Sequence, residues 1–451
     1  MRRKQKVLQQ LMDLGLSKPF AFSAYALFGN EAVKEVQHNP YGLIRFESRK
    51  EWKEIDQLAA KLGFEEHSAE RLAGAFRYSL GLATNEGHVF LPQNELFQRV
   101  SRLIQLEDEN AYHDTLDTLL EHTSLNTPIR EMDEARPIYL DRLYQAETGV
   151  ARSLVQLYIS ASRMALQRPK KKALDGVETD LGIQLAPAQR EAIASSLDNK
   201  IVIITGGPGT GKTTIIKGVL DLWGKKKGKI LLAAPTGRAA KRLCESTGKP
   251  AKTIHRLLEY RLDTHTFNRN ADNKLHADLL VVDEASMIDI ELMASLLEAL
   301  PDYCHLLFVG DVDQLPAVGP GYVLHDLIES QRFKTIHLTE IYRQDKGSLI
   351  PLNAKKINQG EIPETQGLGV DEGQDFYFIE RITPEKVREA MLEMILHRIP
   401  NQFGFQPKTH IQVLCPMYKS EVGVDRMNEV LQQELNPSPH RFNAPFYTVA
   451  I

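Results

Sequence analysis

The chain has 451 residues, of which 42% are hydrophobic and 25% are charged, and its net charge is −4. This composition is typical of a folded globular protein. The net charge excludes a uniformly basic protein that coats nucleic acid, so any contact with nucleic acid must come from a local basic patch. The three cysteines form no metal-binding or disulfide pattern, and no apolar run reaches the length of about 18 residues that a membrane span needs, so we expect a cytoplasmic protein without a membrane partner.

The first 170 residues or so predict a mostly helical region. Segments such as EIDQLAAKLGF and AERLAGAFRYSL carry apolar residues at three- and four-residue spacing, and ETGVARSLVQLYISASRMAL extends this pattern. The basic stretch QRPKKKALDG contains proline and glycine and predicts a linker. We therefore expect a helical domain at 1–98, followed by a helical connector and linker at 99–175.

From about residue 180, short apolar runs alternate with helical patterns. KIVIITG, KILLAAP, ADLLVVDEAS, HLLFVGD and KTIHLTE are apolar on both faces, as buried parallel strands are. This alternation predicts βαβ units and hence an α/β fold with an open parallel sheet at 176–346. After Pro351, the segments DFYFIE, PEKVREAMLEMILHRI and HIQVLCP predict a second strand–helix–strand set at 347–451.

The segment VIITGGPGTGKTTIIKGVL predicts a phosphate-binding loop between a strand and a helix, which is the context that this pattern requires. Its glycines allow backbone N–H groups to surround a phosphate, and the helix N-terminus adds the positive end of its dipole. We expect Lys212 to reach the β- and γ-phosphates of ATP and Thr213 to hold Mg²⁺. The predicted nucleotide contacts in this loop are Gly207, Pro208, Gly209, Thr210, Gly211, Lys212, Thr213 and Thr214.

Three further segments complete the predicted ATP site. Asp283 and Glu284 end a strand, where the first suits the Mg²⁺ water shell and the second suits polarisation of the attacking water, although a solvated acidic pair has the same pattern. Gln314, in GDVDQLPAVGPG, is uncharged and suits a sensor of the γ-phosphate. Arg343, in LTEIYRQ, suits stabilisation of the transferred phosphoryl group, although taken alone it is more typical of a surface arginine.

The segment PTGRAAKRL predicts a nucleic-acid contact. Thr236 and Gly237 follow a strand and offer a hydroxyl and a backbone N–H group to a phosphate. Arg238, Lys241 and Arg242 fall on one face of the helix that follows. Such a basic stripe suits a DNA backbone, although a solvated charged face has the same pattern.

In chain order, GGPGTGKT, APTGRAAKRL, TIHRLL, VVDEAS, GDVDQLPAVGPG and LTEIYRQ resemble motifs I, Ia, Ib, II, III and IV of superfamily 1 helicases. The set is most similar to the RecD-like branch. HNPYGLI, IDQLAAKLGF and EGHVFLP resemble the helix-hairpin-helix region that precedes the motor in stand-alone RecD-like helicases. The resemblance implies a P-loop NTPase with two RecA-like domains that uses ATP and Mg²⁺ and moves 5′ to 3′ on single-stranded DNA, in repair or recombination.

The same resemblance implies further contacts. Gln189, in LAPAQREAI, would read the adenine edge, and Thr253 and His255 would contact the DNA strand. A hairpin near 259–275 would act as the pin that splits the duplex at a single-strand/double-strand junction. The polar composition of that hairpin fits a passive surface loop equally. A lone histidine such as His255 is as often a packed or surface residue as a DNA contact.

The resemblance stops before motifs V and VI. We therefore interpret 347–451 as a partial second RecA-like domain and expect that the chain lacks a C-terminal part. Two functions stay open: a DNA helicase, or an ATP-binding and DNA-binding module that switches with nucleotide state and does not unwind. A small-molecule kinase is disfavoured, because no acceptor pocket is recognisable in the sequence.

Overall fold

The computed structural model describes residues 2–44, 49–105, 108–122, 124–128, 135–163, 167–340, 348–365 and 375–436. The chain divides into two compact units, Met1–Gln344 and Asp345–Ile451.

The first part of the larger unit is mostly helical, as predicted. Its α-helices are α1 (Arg2–Asp13), α2 (Lys18–Phe28), α3 (Ala32–His38), α4 (Arg49–Lys61), α5 (Ala69–Asn85), α6 (Gln93–Ile104), α7 (Glu109–Glu121) and α8 (Asp141–Ile159). Three short strands, β1 (Phe90–Pro92), β2 (Leu125–Asn126) and β3 (Pro137–Leu140), form a sheet in the order β1-β3-β2. Within the described ranges, no helix combines the length and apolar content needed to span a membrane.

Polar contacts hold these helices in register. The Arg71 guanidinium on α5 forms a two-pronged ion pair with the Asp56 carboxylate on α4, at 2.8 and 3.0 Å. The Tyr41 hydroxyl donates to the same carboxylate at 2.7 Å. Because a bidentate ion pair fixes the relative orientation of its two side chains as well as their distance, this network helps to set the angle between α4 and α5.

The second part of the larger unit is a six-stranded, all-parallel sheet in the order β11-β4-β10-β9-β5-β6. Its strands are β4 (Ile201–Gly206), β5 (Ile230–Ala234), β6 (Ala251–Thr253), β9 (Leu279–Val282), β10 (His305–Gly310) and β11 (Lys334–Leu338). The five strands predicted from apolar runs are confirmed. The edge strand β6 was not predicted, because the sequence AKT contains no apolar run.

Helices cover both faces of this sheet, as parallel sheets require. They are α9 (Lys171–Leu181), α10 (Pro187–Asp198), α11 (Lys212–Lys225), α12 (Gly237–Thr247), α13 (Ile254–Leu257), α14 (Ile290–Glu298) and α15 (Val323–Glu329). Alternate residues of β4 enter different cores: Val202 packs with α9–α11, whereas Ile201 belongs to a core that also contains Leu157 of α8. The domain boundaries predicted at 98 and 175 stay predictions. Residues before and after each boundary contribute to the core that contains Leu157.

The predicted linker QRPKKKALDG is wrong in its second half, since Lys171 begins the helix α9. Leu174 and Val177 are buried on this helix. A Cβ on Gly218 of α11 would lie 3.2 Å from Val177 Cγ1, so the two helices are in direct contact there. Burial of this apolar face stabilises a helix that its basic first residues did not indicate.

The smaller unit contains the helices α16 (Leu349–Asn358), α17 (Pro384–Glu393), α18 (Ile399–Phe403), α19 (Pro407–His410) and α20 (Val424–Leu435). The strands predicted at DFYFIE and HIQVLCP are wrong for this structure: Tyr377 makes an isolated bridge, and His410 ends α19. A strand needs a neighbour to satisfy its N–H and C=O groups, and the described part of this unit contains no such neighbour. Its small core is formed by Ile395, Met427 and Leu431. The second RecA-like domain therefore stays a prediction.

Candidate nucleotide and DNA site

The phosphate-binding loop lies between β4 and α11, at the carboxyl edge of the sheet. Gly209 and Gly211 have φ values of +82° and +86°, which L-residues with side chains rarely adopt. A Cβ on Gly206 would lie 2.7 Å from Leu338 Cβ on β11, so the loop leaves the sheet at a point where only glycine fits. The Thr210 hydroxyl donates to the Gly207 carbonyl at 2.8 Å and closes the turn.

The Lys212 ammonium points into this loop. It donates to the carbonyl oxygens of Gly206 and Gly207, the second at 3.0 Å. Burial lowers the pKa of Lys212, and the nearby carboxylates of Asp311, Glu284 and Asp283 oppose that shift. The lysine is therefore held by partial negative charges that phosphate oxygens can replace.

Asp283 and Glu284 follow β9 directly and lie beside Lys212. Burial, reinforced by the Glu284 charge, raises the pKa of Asp283 to about 6. Glu284 has a φ of +53°, and its Oε2 atom is buried without a hydrogen-bond partner. A left-handed non-glycine residue with an unsatisfied carboxylate is typical of a functional site, where local strain persists only because the surroundings impose it.

Asp311 belongs to the same constellation and was missed in the sequence. It follows β10 and is 3% exposed, and its carboxylate accepts from Asp313 N and from Gln314 Nε2, both at 3.2 Å. The available signal was its position: like Asp283, it follows a buried parallel strand, and the carboxyl ends of such strands meet at one edge. The structure thus brings Lys212, Asp283, Glu284 and Gln314 together around the Asp311 carboxylate.

Gln189 lies at the start of α10 and is buried against the loop. Its Oε1 accepts from Ala186 N and its Nε2 donates to the Thr210 carbonyl, both at 3.1 Å. A Cβ on Gly211 would collide with its amide nitrogen. The predicted contact with adenine stays a prediction, whereas the observed contacts are with the phosphate-binding loop.

The remaining loop residues occupy the positions that the pattern predicts. Gly207 and Pro208 lie in the turn before α11, and Thr213 and Thr214 lie in its first turn, partly buried. Arg343 lies outside the described residues.

The predicted DNA residues follow β5 and β6, which continue the same sheet edge. The Thr236 hydroxyl caps α12 by accepting from Ala239 N at 3.2 Å, with Gly237 exposed next to it. Arg238 is exposed, and Lys241 is 79% exposed and 3.8 Å from Glu245. These positions leave α12 with a basic face open to solvent.

Arg242, from the same helix, is likewise exposed. Burial is the main cause of the pKa shifts of Lys212 and Asp283, and the Arg242 charge adds a smaller contribution that lowers both pKa values. All three residues of the basic stripe are therefore exposed, and Arg242 is also close enough to influence the charges of the nucleotide site.

Thr253 and His255 lie next to a hairpin. The Thr253 hydroxyl caps α13 by accepting from Arg256 N at 3.1 Å. The His255 ring packs against Tyr260 and Phe267, with ring centroids 5.5 and 5.7 Å apart. The strands β7 (Tyr260–Arg261) and β8 (Thr266–Phe267) pair antiparallel, so His255 packs on the base of the hairpin.

Magnesium fits the donors at this site. The described residues contain no cluster of three His, Cys, Asp or Glu side chains suited to a metal. Mg²⁺ needs none, because it is commonly held by one or two carboxylates, a hydroxyl, water and substrate phosphates. The half-buried Asp283 carboxylate and the Thr213 hydroxyl supply hard oxygen ligands of this kind.

Two family models match the chain. The model described as "AAA domain" matches residues 189–320, and the model described as "ATP-dependent RecD2 DNA helicase HHH domain" matches residues 1–90. These ranges contain the candidate nucleotide site and the first helical segment, respectively.

Several curated proteins are similar over most of the chain. The ATP-dependent RecD2 DNA helicase of Deinococcus radiodurans is 32% identical over 446 residues, which cover 96% of this chain and 58% of that protein. The RecBCD enzyme subunit RecD of Mycolicibacterium smegmatis is 31% identical, covering 66% of this chain and 57% of that protein. The corresponding subunit of Buchnera aphidicola subsp. Schizaphis graminum is 30% identical, covering 81% and 72%. The chain thus spans somewhat more than half the length of the first two.

Solved structures show weaker similarity. The crystal structure of Pif1 helicase from Candida albicans has a TM-score of 0.33 and 23% identity, covering 47% of this chain and 55% of that chain. Bacteroides sp Pif1 in complex with ADP-AlF4 has a TM-score of 0.29 and 21% identity, covering 40% and 47%.

Proposed function

Because this chain belongs to the RecD-like family of superfamily 1 helicases, with a helix-hairpin-helix N-terminal region, we propose that it is an ATP-dependent DNA helicase. The single observation that carries this proposal is the convergence of Lys212, Asp283, Glu284 and Gln314 at one sheet edge, beside the solvent-facing basic helix α12. ATP hydrolysis at the first group is proposed to drive movement along single-stranded DNA bound at the second.

The proposed chemistry assigns a separate role to each residue. Lys212 exchanges its carbonyl partners for β- and γ-phosphate oxygens, since a charged oxygen is the stronger acceptor. Thr213 and Asp283 would hold Mg²⁺, which would neutralise the charge that develops on the phosphate. Glu284 orients the attacking water, because its unsatisfied Oε2 is an acceptor in need of a donor.

Gln314 is proposed to report the state of the γ-phosphate. Its amide rests on Asp311 at 3.2 Å, and Asp311 follows the strand that neighbours both β4 and β9. A hydrogen bond to phosphate would compete with this contact and shift the loop that follows. Arg343 is proposed as the cation that stabilises the transferred phosphoryl group.

The connection to DNA is proposed to run along the sheet edge. Asp283 N donates to the Ala233 carbonyl at 2.9 Å, so the end of β9 is bonded to the end of β5, from which α12 follows. Thr236, Gly237, Arg238, Lys241, Thr253 and His255 are the proposed DNA contacts. The hairpin at β7 and β8 is the proposed pin at a single-strand/double-strand junction, and 5′ to 3′ polarity is proposed from family resemblance.

The test is steady-state ATP hydrolysis by the 451-residue chain with and without single-stranded DNA, with Glu284→Gln as the blank. We expect hydrolysis that rises with DNA and is lost in the variant. Hydrolysis that ignores DNA would contradict the proposal.

Strand displacement separates the two remaining functions. Duplexes with a 5′ or a 3′ single-stranded tail should be unwound only from the 5′ tail. Unwinding from the 3′ tail would overturn the polarity. DNA-stimulated hydrolysis without unwinding of either substrate would favour the ATP-dependent DNA-binding switch.

A further inference from the structure

The loop that carries Gln314 ends in contact with both the helical region and α14. Its last residues are fixed by two backbone hydrogen bonds: Gly321 N donates to the Gly87 carbonyl at 2.9 Å, and Ile290 N donates to the Pro320 carbonyl at 2.9 Å. Gly87 belongs to the turn between α5 and β1. One loop therefore joins the candidate γ-phosphate sensor to the N-terminal helices.

The contact is close on both sides. Gly321 has a φ of +98°, and a Cβ there would lie 3.3 Å from Val89 Cγ2 and 3.2 Å from Ile290 Cβ. A Cβ on Gly87 would lie 3.6 Å from the Tyr322 hydroxyl oxygen. Because Gly321 is tightly packed against Val89 and is hydrogen-bonded to Gly87, a displacement of the turn is transmitted to the loop.

The turn itself is tied to the helical region. His88 N donates to the Ala83 carbonyl at 2.9 Å, and the Arg99 guanidinium on α6 contacts the Glu86 carboxylate at 2.8 Å. Glu86 and Arg99 also line an open groove between α4, α5 and α6. The turn is thus fixed to two helices and reachable from the surface of the helical region.

We propose that the turn formed by residues 86–89 is a positioning element of the nucleotide site. It holds the far end of the loop whose near end carries Gln314, so the state of the N-terminal helices sets the rate of ATP hydrolysis. This inference rests on the proposed function, because it assumes that Gln314 acts in hydrolysis.

The test compares two glycine substitutions that impose the same backbone strain. Gly87→Ala and Gly63→Ala both place a side chain at a left-handed position, with φ values of +91° and +89°. A Cβ at Gly63 meets nothing within 4 Å. We expect Gly87→Ala to lower kcat for DNA-stimulated ATP hydrolysis by about tenfold with KM for ATP unchanged, since small displacements of catalytic groups are costly. Gly63→Ala should keep the wild-type kcat.

Equal kinetics in the two variants, with an active wild-type chain, would overturn the inference and leave the proposed function intact. Hydrogen exchange supplies a readout that does not depend on turnover. Addition of ADP, aluminium fluoride and Mg²⁺ should change exchange at 86–89 and 319–322 as well as at 206–213. Protection confined to 206–213 would overturn the inference alone, whereas no protection at 206–213 would overturn the proposed function and the inference with it.

Discussion

At the scale of single residues, the nucleotide site places several carboxylates around one lysine, Lys212. Lys212 is partly buried, which lowers its pKa, and of the three carboxylates nearby Asp311 opposes that shift most strongly. The ionised form of Asp283 is disfavoured in this cluster, because burial and the Glu284 charge both raise its pKa. A site of this kind gains stability when Mg²⁺ and phosphate enter, since each new charge pairs with one already present.

Asp283→Asn should stabilise the nucleotide-free chain in a pH-dependent way. The folded-state pKa of Asp283, about 6, lies above its ordinary value of 3.8. The stability contributed by Asp283 is therefore present below about pH 4 and is lost as the pH rises through about 6. We expect the variant to raise the free energy of unfolding by at most about 3 kcal/mol at pH 8 and by about half as much at pH 5.

Urea unfolding at the two pH values measures this difference. Asp272→Asn, at an exposed aspartate, is the matched control for loss of one carboxylate. A gain in Asp283→Asn that is equal at pH 5 and pH 8 would contradict the assignment of a raised pKa.

Gln189→Ala should show whether the buried glutamine supports the phosphate-binding loop or contacts adenine. The substitution removes the hydrogen bonds to Ala186 and Thr210, so the phosphate-binding loop loses its support. We expect affinity for ATP and for GTP to fall equally, by about tenfold, as the loss of one or two buried hydrogen bonds implies. Fluorescence titration with both nucleotides measures this. A selective loss of ATP binding would instead support the predicted adenine contact.

At the scale of elements, the neighbouring strands β9 and β5 bring the nucleotide residues next to the proposed DNA residues. β4, β10 and β9 end in the nucleotide residues, and β5 and β6 end in the proposed DNA residues. The Asp283–Ala233 hydrogen bond joins the halves at the middle of the edge. A parallel sheet produces this arrangement because all its strands end on the same side.

Arg238→Ala and Lys241→Ala should each weaken binding of single-stranded DNA uniformly across sequences. Each lost phosphate contact should reduce the slope of log K against log salt by about 0.7. Anisotropy titrations over a range of salt concentrations measure the slope. Lys217→Ala, an exposed lysine on α11, is the control. An unchanged slope in both α12 variants would exclude this helix from the DNA site.

The hairpin supports a separate expectation. Leu262, which directly follows β7, is 80% exposed, and its apolar side chain is suited to contact an unpaired base. Leu262→Ser should reduce strand displacement several-fold and leave DNA-stimulated hydrolysis unchanged. Val155→Ser removes an exposed apolar side chain from α8 and serves as the control. Unchanged strand displacement in Leu262→Ser would support the passive surface loop.

At the scale of the whole larger unit, the helical region and the sheet are parts of one folded body. The core beneath α14 contains residues from the N-terminal helices, from β4 and from β10. Arg142 on α8 also pairs with Glu291 on α14 at 2.5 Å. The helical region is thus packed against the ATPase sheet rather than tethered to it.

The two tryptophans test this cooperativity. Trp52 lies among the N-terminal helices and Trp223 lies in the core on the other side of the sheet, and they are the only tryptophans in the chain. Single-tryptophan variants, Trp52→Phe and Trp223→Phe, should report the same urea midpoint when each is corrected for its own effect on stability by circular dichroism. Two separate fluorescence midpoints would show that the helical region unfolds independently.

Much of the fold and of the candidate nucleotide site follows from local sequence. The five strands were predictable because each is a short apolar run, and the phosphate-binding loop was predictable because its glycines and Lys212 are contiguous. Asp283 and Glu284 were predictable for the same reason, since they directly follow a strand. The strands predicted in the smaller unit failed because an apolar run needs a neighbouring strand as well as a pattern.

Tertiary structure alone decided the contacts between distant segments. The sequence by itself determined which residues reach the sheet edge, since strand periodicity and glycine position are local properties. It did not determine that Gln189 supports Thr210, that His255 packs on the hairpin, or that Gly321 bonds to Gly87. Those contacts depend on how helices and loops pack against the sheet, and packing is settled by shape and burial over the whole unit, which no local pattern records.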